Sequence, residues 1–261
     1  IFSNSPLHLG KPSGYKSFRS RIWQNTDGTR SGIPGAFIRK DFTIEDYINW
    51  ALLASPYHLN RQGEIHELMD HSFRNLMDGS YPQIKTDFED WKDHLGMLFP
   101  EIRIKNIIEI RSIDTLNPEY VLAVPALLQA LIYDETVFGK LESMMMDLPE
   151  NEFPWYQQVA ARDGLAGQVN QINFSHFAKK LMEMALESLT LSEGCRLALF
   201  FDRYTRHGLS PADLVLERYY SADENPLKWI HKELQSDEEK QSSFINFPCD
   251  VDEHPTSWVS H

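Results

Sequence analysis

Two carboxylates and three cations alternate with isoleucines between Glu101 and Ile113, and such side chains can bind metal ions and phosphate. Alternation with a period of two predicts a β-strand that turns its isoleucines toward the core. The charged residues would then share the other face, about 7 Å apart along the strand. Carboxylates can bind a hard divalent cation, and cations can neutralise phosphate oxygens. The alternative is a solvated, salt-bridged outer face. The charged residues are Glu101, Arg103, Lys105, Glu109 and Arg111.

Capping and breaker signals around this strand predict the elements that would position it. Thr43 and Asp46 suit the start of a helix, and Pro100 would end the helix that precedes the strand. Tyr57 follows Pro56 in a short predicted strand, where an aromatic side chain is also a common packing residue. The predicted elements are helices over 42–54, 71–78 and 87–99, a strand over 55–61, and a buried helix over 119–133 that begins at Pro118.

Composition restricts the partners of this chain of 261 residues. Its formal net charge of −13 argues against non-specific binding to nucleic acid or to an anionic membrane, so local cations favour a small anionic ligand. No apolar run is long enough to span a bilayer. The only cysteines, Cys195 and Cys249, match neither a disulfide framework nor a zinc site. We therefore expect a reducing, cytoplasmic location, with two free thiols or a pair under oxidation as the alternatives.

The predicted helices and strands together indicate an α+β fold. We expect a sheet-containing catalytic portion over residues 1–134 and a helical C-terminal region over 135–235. The tail over 236–261 is polar and aperiodic, which is typical of a loosely ordered segment. The sequence opens abruptly at Ile1 without an initiator methionine, so we expect it to be a piece of a longer chain.

Five short motifs in fixed order resemble the C-terminal half of plant and proteobacterial glutamate–cysteine ligases, within the carboxylate–amine ligase superfamily. Common nucleotide-binding and nucleophile motifs such as GxxxxGK[ST], GxGxxG and GxSxG are absent. Weaker similarity extends to about residue 220. The five motifs are NSPLHLGKPSGYKSFRSRIW at 4–23, SPY at 55–57, HSFRNLMDG at 71–79, DWKDHLGMLFPEIRIK at 90–105 and IIEIRSID at 107–114.

The resemblance implies a partial glutamine synthetase/guanido kinase-like fold with a mainly antiparallel sheet backed by helices. It also implies an ATP-dependent ligase that joins glutamate to cysteine through γ-glutamyl phosphate, in glutathione biosynthesis. Its cofactors would be ATP and Mg²⁺. By the motif match, Glu109 corresponds to a magnesium ligand and Arg111 to a catalytic, phosphate-binding arginine. Arg19 and Tyr57 correspond to glutamate-binding residues. Arg103 and Lys105 are two further nucleotide-binding candidates, because they lie on the same face of the predicted strand as Glu109. The alternative for both is ion pairing with Glu101.

Departures from the family pattern leave other functions open. Plant-type enzymes continue the strand as R-G-A-D, whereas this chain has Arg111, Ser112, Ile113 and Asp114. Arg21 stands where plant-type enzymes commonly have histidine. The acidic metal-binding motif of the family's N-terminal half does not occur in this chain. The alternatives are a ligase that joins glutamate to another amine and a non-catalytic binding or regulatory module of the same fold.

Overall fold

The computed structural model of the chain describes residues 1–61, 63–68, 70–80 and 84–222. These residues divide into two compact units: unit 1 comprises residues 1–21 with the segment from Asp114 onward, and unit 2 comprises Ile22–Ile113. The α+β class is confirmed, because helices and short strands are mixed. The helices are α1 (Phe18–Gln24), α2 (Ile44–Leu53), α3 (Phe73–Met77), α4 (Phe88–Gly96), α5 (Ala123–Tyr133), α6 (Glu135–Met146), α7 (Phe153–Asp163), α8 (Phe174–Ser188), α9 (Leu191–Arg203) and α10 (Pro211–Ser221).

The strands are short and form only two-stranded ladders within the described residues, so the single mainly antiparallel sheet expected above is not found there. Four ladders are antiparallel, and the ladder of β3 with β6 is parallel. The strands are β1 (Leu7–His8), β2 (Lys11–Pro12), β3 (Ser31–Gly32), β4 (His58–Arg61), β5 (Glu64–Glu67), β6 (Phe99–Pro100), β7 (Ile102–Ile104), β8 (Ile108–Ile110), β9 (Gln168–Val169) and β10 (Ile172–Asn173).

The alternating segment after Glu101 is a hairpin, which corrects the prediction of one continuous strand. β7 and β8 pair antiparallel, with Ile102 opposite Ile110, Arg103 opposite Glu109 and Ile104 opposite Ile108. The turn is closed by the Lys105 amide, which donates to the Ile107 carbonyl at 2.9 Å. Odd-numbered residues pair with odd-numbered ones and even-numbered with even-numbered ones. The charged and apolar side chains therefore stay on separate faces, as predicted, although the chain turns back on itself. This turn also brings Arg103 directly opposite Glu109 instead of leaving them apart along one strand.

The isoleucine face of the hairpin is not the buried face that the pattern predicts. Ile102 is 48% exposed and Ile108 is 67% exposed, whereas the side chains of Arg103 and Glu109 are only 13% and 26% exposed. Alternation separates two faces but does not determine which face is covered. Within unit 2, Arg103 on the charged face is held against the carbonyls of Gly96 and Leu98, at the C-terminal end of α4.

Helix α4 in unit 2 is anchored near its N-terminus by a carboxylate. Asp87 and Asp90 form a capping box, the arrangement in which the side chain of each accepts from the backbone N–H of the other. The Asp90 carboxylate also accepts two hydrogen bonds from Arg61 of β4, at 2.6 and 2.7 Å. Burial alone would raise the pKa of Asp90, but these hydrogen bonds outweigh it and lower the pKa below its usual value. Asp90 therefore stays ionised and ties the β4–β5 hairpin to α4.

The core of unit 2 forms around the buried face of α2. Ala51, Ala54 and Leu98 form a fully buried cluster, against which Trp91 packs. Thr43 caps α2 in a capping box with Asp46, which confirms the predicted helix start. His94 of α4 is completely buried, and its Nε2–H donates to the Ala51 carbonyl at 2.8 Å. Phe88, the first residue of α4, is exposed.

The core of unit 1 is helical, with α5, α8 and α9 packed against one another. Met182, Leu197 and Phe200 are among its fully buried side chains. Helix α5 begins at Ala123, so the prediction of a helix that starts at Pro118 is wrong. Pro125 lies in the first turn of α5, where its missing N–H leaves no intrahelical bond unmade.

Two features of the chain from residue 114 onward bear on the expected organisation. The expected boundary at 134/135 falls inside unit 1, between the adjacent helices α5 and α6. Cys195 of α9 is disulfide-bonded, although the composition indicated no disulfide framework. Cys249 and the predicted tail over 236–261 lie outside the described residues.

Candidate active site

The charged face of the β7–β8 hairpin is centred on Glu109. Arg103 donates to Glu109 Oε2 from Nε at 2.9 Å and from Nη2 at 2.6 Å. The Nη1 of Arg103 donates to the carbonyls of Gly96 and Leu98, at the C-terminal end of α4. Arg103 therefore fixes the hairpin to α4 and uses all three guanidinium nitrogens to do so. The ion pair that it makes is with Glu109, whereas the sequence suggested Glu101 as its partner.

Arg111 follows β8 and lies beside the same carboxylate. Its Nη1 is 3.7 Å from Glu109 Oε2, and its backbone N–H donates to the Glu101 carbonyl. The guanidinium carbon lies 5.9 Å from the ring centroid of Trp23 and 5.6 Å from that of Phe99, within range of cation–π attraction. Two aromatic rings and one carboxylate thus surround Arg111, and these contacts restrict its orientation.

The electrostatic environment of Glu109 favours an anionic ligand. Hydrogen bonding by Arg103 lowers the pKa of Glu109 below its usual value, and the charges of Arg103, Lys105 and Arg111 lower it further. Lys105 itself is exposed at the hairpin turn. Three cations around one carboxylate leave a local excess of positive charge in a chain of net charge −13. This excess suits phosphate oxygens.

Glu109 fits one ligand position of a metal ion but does not make a complete site. Both hydrogen bonds from Arg103 end on Oε2, so among the described residues Oε1 is the oxygen left for coordination. Magnesium is typically bound by one or two carboxylates together with substrate phosphates and water. Nowhere in the described ranges do three or more His, Cys, Asp or Glu side chains form a group that could hold a metal ion.

Tyr57 lies just before β4 and contacts a residue that the sequence analysis did not single out. The guanidinium carbon of Arg30 lies 3.8 Å from the centroid of the Tyr57 ring. Arg30 is 3% exposed, whereas Tyr57 is 38% exposed. One side of the phenol therefore rests on a buried cation while part of the ring remains accessible. The TDGTRSG segment that contains Arg30 resembles an ordinary turn, and only the fold brings it under Tyr57.

Arg19 lies in unit 1, whereas Tyr57, Arg103, Lys105, Glu109 and Arg111 lie in unit 2. Arg19 is half-buried on α1, and its backbone N–H donates to the Ser5 hydroxyl at 3.1 Å. That hydroxyl donates in turn to Asp114, which also accepts from Ser17. The buried Asp114 carboxylate thereby holds the first turn of α1 and orients the backbone at Arg19.

The mixed fold and the cation-rich hairpin define a candidate phosphate-binding protein. The family model of glutamate–cysteine ligase family 2 (GCS2) matches residues 1–240, and the chain belongs to this family. Chloroplastic glutamate–cysteine ligase from Nicotiana tabacum is 31% identical over 226 residues, which are 84% of this chain and 43% of that protein. The corresponding enzyme from Solanum lycopersicum is 30% identical over 240 residues, 90% of this chain and 46% of that protein.

These comparisons confirm the predicted family and correct the predicted location. A third relative, chloroplastic glutamate–cysteine ligase A from Oryza sativa subsp. indica, is 29% identical over 90% of this chain and 49% of its own length. The chain thus spans about half the length of the curated relatives it matches. All of these relatives are chloroplastic, which contradicts the expected cytoplasmic location. No helix in the described ranges is both long and apolar enough to cross a membrane.

Proposed function

We propose that the protein carrying this chain is an ATP-dependent glutamate–cysteine ligase that makes γ-glutamylcysteine for glutathione biosynthesis. The observation that carries the proposal is the family match over residues 1–240, which includes the hairpin with Arg103, Glu109 and Arg111. The chain would contribute the C-terminal half of the enzyme, in a glutamine synthetase/guanido kinase-like catalytic fold. The chloroplastic relatives favour a plastid location.

The proposed reaction has two steps. In the first, an oxygen of the glutamate γ-carboxylate attacks the γ-phosphorus of ATP and ADP leaves, which gives γ-glutamyl phosphate. In the second, the cysteine amine attacks the acyl carbon, inorganic phosphate leaves and the amine loses a proton. Phosphoryl transfer depends mainly on positioning and on neutralisation of charge. A protein surface that fixes cations near the phosphates therefore meets the main requirement of phosphoryl transfer.

The residues of the hairpin have distinct roles in this proposal. Arg111, oriented by Trp23 and Phe99, stabilises the negative charge on the transferred phosphoryl group. Arg103 holds the Glu109 carboxylate in place, and the exposed ammonium group of Lys105 attracts the nucleotide. Glu109 Oε1 would provide one ligand to Mg²⁺, which would neutralise phosphate charge when bound. No described group completes that coordination, so the remaining ligands would be phosphate, water or residues outside the described ranges.

In this proposal Arg19 and Tyr57 are each assigned to glutamate binding by the motif match. The guanidinium of Arg19 suits bidentate recognition of a carboxylate. The partly exposed phenol of Tyr57 can donate a hydrogen bond to a carboxylate oxygen. These assignments come from the motif match in unit 1 for Arg19 and in unit 2 for Tyr57.

A panel of acceptor amines tests the proposed reaction. The natural protein is incubated with ATP, Mg²⁺ and glutamate, and phosphate release is measured with cysteine, with other α-amino acids or with no acceptor. We expect release that depends on cysteine, with γ-glutamylcysteine identified by mass spectrometry. A clear preference for another amine would replace cysteine as the substrate. Absence of turnover with every amine would support the non-catalytic module instead.

A further inference from the structure

Arg30 is a buried cation held by contacts to three neighbouring groups. Its Nε donates to the Asp27 carboxylate at 2.8 Å, and its Nη2 donates to the Ser55 carbonyl at 2.6 Å. The carbon of its guanidinium lies over the Tyr57 ring, 3.8 Å from the ring centroid. The side chain therefore links the loop before β3 to the Ser55–Tyr57 segment. It has little freedom to adopt another rotamer.

The backbone of Arg30 is anchored as firmly as its side chain. The Phe99 N–H donates to the Arg30 carbonyl at 2.7 Å, where the parallel β3–β6 ladder begins. The Glu101 N–H donates to Gly32 at the other end of the same ladder. Because β6 leads directly into the hairpin that carries Glu109, Arg30 is fixed to the framework of the candidate active site and is not part of a free loop.

The third nitrogen of Arg30 distinguishes it from an ordinary structural arginine. Its Nη1 is buried, and no residue in the described ranges accepts a hydrogen bond from it. Among the described residues the guanidinium is hydrogen-bonded to one carboxylate, that of Asp27, whose side chain is 43% exposed. The buried guanidinium therefore has one ion pair, leaves Nη1 without an acceptor in the described ranges and lies directly behind the Tyr57 ring.

From these contacts we infer that Arg30 is a positioning residue for glutamate binding, acting through Tyr57. The guanidinium holds the plane of the phenol, so that the Tyr57 hydroxyl points to one place. This inference rests on the proposed function, because it takes Tyr57 as a glutamate-binding residue. It adds a residue for which the motif match suggests no role. Nη1 is buried, so the inferred action passes through the ring and not through direct contact with substrate.

A double-mutant cycle between Arg30 and Tyr57 tests the inference. The variants are Arg30→Lys, Tyr57→Ala and the two combined, made in the natural protein. Arg30→Lys keeps the charge but loses the planar face and the forked donors. The exposed Arg39, which pairs with Asp41, gives the matched control Arg39→Lys. Glutamate affinity is measured by calorimetry, KM and kcat by phosphate release, and folding by thermal denaturation.

We expect Arg30→Lys to weaken glutamate binding on the order of tenfold, the scale of a desolvated cation–π contact. KM for ATP should stay unchanged and kcat should change less than KM for glutamate. In the Tyr57→Ala background the same substitution should have no further effect, because the ring through which Arg30 acts is gone. Arg39→Lys should bind glutamate like the unchanged protein.

Three results would overturn the inference, and they differ from failure of the proposed function. Equal weakening by Arg30→Lys with and without the Tyr57 ring would show that Arg30 acts independently of that ring. A lower melting temperature with unchanged glutamate affinity would show a purely structural arginine. Unchanged affinity in Tyr57→Ala would remove the ring from glutamate binding while ligase activity persisted. If the unchanged protein neither bound glutamate nor formed product, the proposed function itself would fail.

Discussion

Two hairpins of unit 2 each bring an arginine against a carboxylate, and both contact α4. In the β4–β5 hairpin, Arg61 binds Asp90 near the start of the helix. In the β7–β8 hairpin, Arg103 binds Glu109 and also the carbonyls at the end of the helix. By geometry alone the two ion pairs are nearly equivalent, because both arginines donate twice at normal distances. The two carboxylates differ in how many of their oxygens accept hydrogen bonds from protein donors.

Asp90 has both oxygens occupied by protein donors. Oδ1 accepts from Arg61, and Oδ2 accepts from Arg61 and from the backbone N–H of Asp87. Its side chain is 7% exposed. The contacts of Glu109, in contrast, converge on one oxygen, and further cations lie beside it. A carboxylate that is fully satisfied and buried indicates a structural role, whereas our proposal assigns Glu109 to ligand binding because, within the described residues, the hydrogen bonds from Arg103 leave its Oε1 available.

Removal of the charged groups at the β7–β8 hairpin should give the largest effect. We expect Glu109→Gln and Arg111→Ala each to lower kcat at least ~100-fold, the scale observed when a preorganised charge stabiliser is lost. The measurement is phosphate release with ATP, glutamate and cysteine. Thermal denaturation of the same samples separates loss of chemistry from loss of fold.

Asp90→Asn is the matched control for Glu109→Gln, because it also replaces a carboxylate of unit 2 that accepts two hydrogen bonds from an arginine. It should lower stability while turnover per folded molecule stays near that of the unchanged protein. If the two substitutions had the same effect on turnover, the distinction between the two carboxylates would be wrong. Near-normal rates in both Glu109→Gln and Arg111→Ala would remove the hairpin from catalysis.

The second effect should appear in stability at the β4–β5 hairpin. Arg61→Ala leaves the buried Asp90 carboxylate without its two charge-assisted hydrogen bonds. We expect a loss of about 2 kcal/mol in the free energy of unfolding, since hydrogen bonds to charged groups contribute about that much. Urea denaturation of the natural protein measures it. An unchanged midpoint would mean that water replaces Arg61 without cost.

The pH dependence of stability should include a contribution from His94, which is buried in the last turn of α4. Burial lowers the pKa of His94 from 6.5, and the Arg30 charge lowers it further, although the hydrogen bond to Ala51 opposes them. The unfolded chain therefore binds a proton near pH 6.5 that the folded chain does not. Stability should be full above that pH and should fall as the pH decreases toward the folded pKa.

His94→Gln keeps a donor for the Ala51 carbonyl but cannot titrate. We expect the decrease in stability between about pH 7.5 and about pH 5.5 to be smaller in this variant than in the unchanged protein. Urea denaturation at the two pH values measures the difference. Equal decreases in both proteins would assign the pH dependence to other groups.

Sequence patterns predicted the local structure of unit 2 well because that structure depends on neighbouring residues. The capping box of Thr43 with Asp46 marks the start of α2, as expected, and α4 begins within one residue of its predicted start at Asp87. The alternation correctly placed Arg103 and Glu109 on one face, even though the segment is a hairpin. This is because odd-numbered residues of one strand pair with odd-numbered residues of the other. The turn itself was missed, since Lys105, Asn106 and Ile107 have no glycine or proline to mark it.

What the sequence did not predict depends on distant contacts. The charged face of the hairpin is covered because Arg103 reaches the carbonyls of Gly96, the last residue of α4, and of Leu98, which follows the helix. Alternation contains no information about these contacts. Arg30 lies beneath Tyr57 only because the β3–β6 ladder brings separate segments together. The identity of the family came from the order of the motifs, whereas the roles of single residues within it stay predictions.

The smallest expected effect distinguishes two exposed lysines of unit 2, Lys105 and Lys92. Lys105 lies at the turn of the β7–β8 hairpin, where its charge acts on Glu109, whereas Lys92 of α4 pairs with Glu89 on the surface. We expect Lys105→Ala to raise KM for ATP roughly threefold at low salt, because an exposed charge contributes less than ~1 kcal/mol. The effect should disappear at high ionic strength, since salt screens exposed charges. Lys92→Ala should leave KM for ATP unchanged at every salt concentration. An equal effect of both substitutions would mean that ATP responds to the net charge of the surface and not to the cations gathered around Glu109.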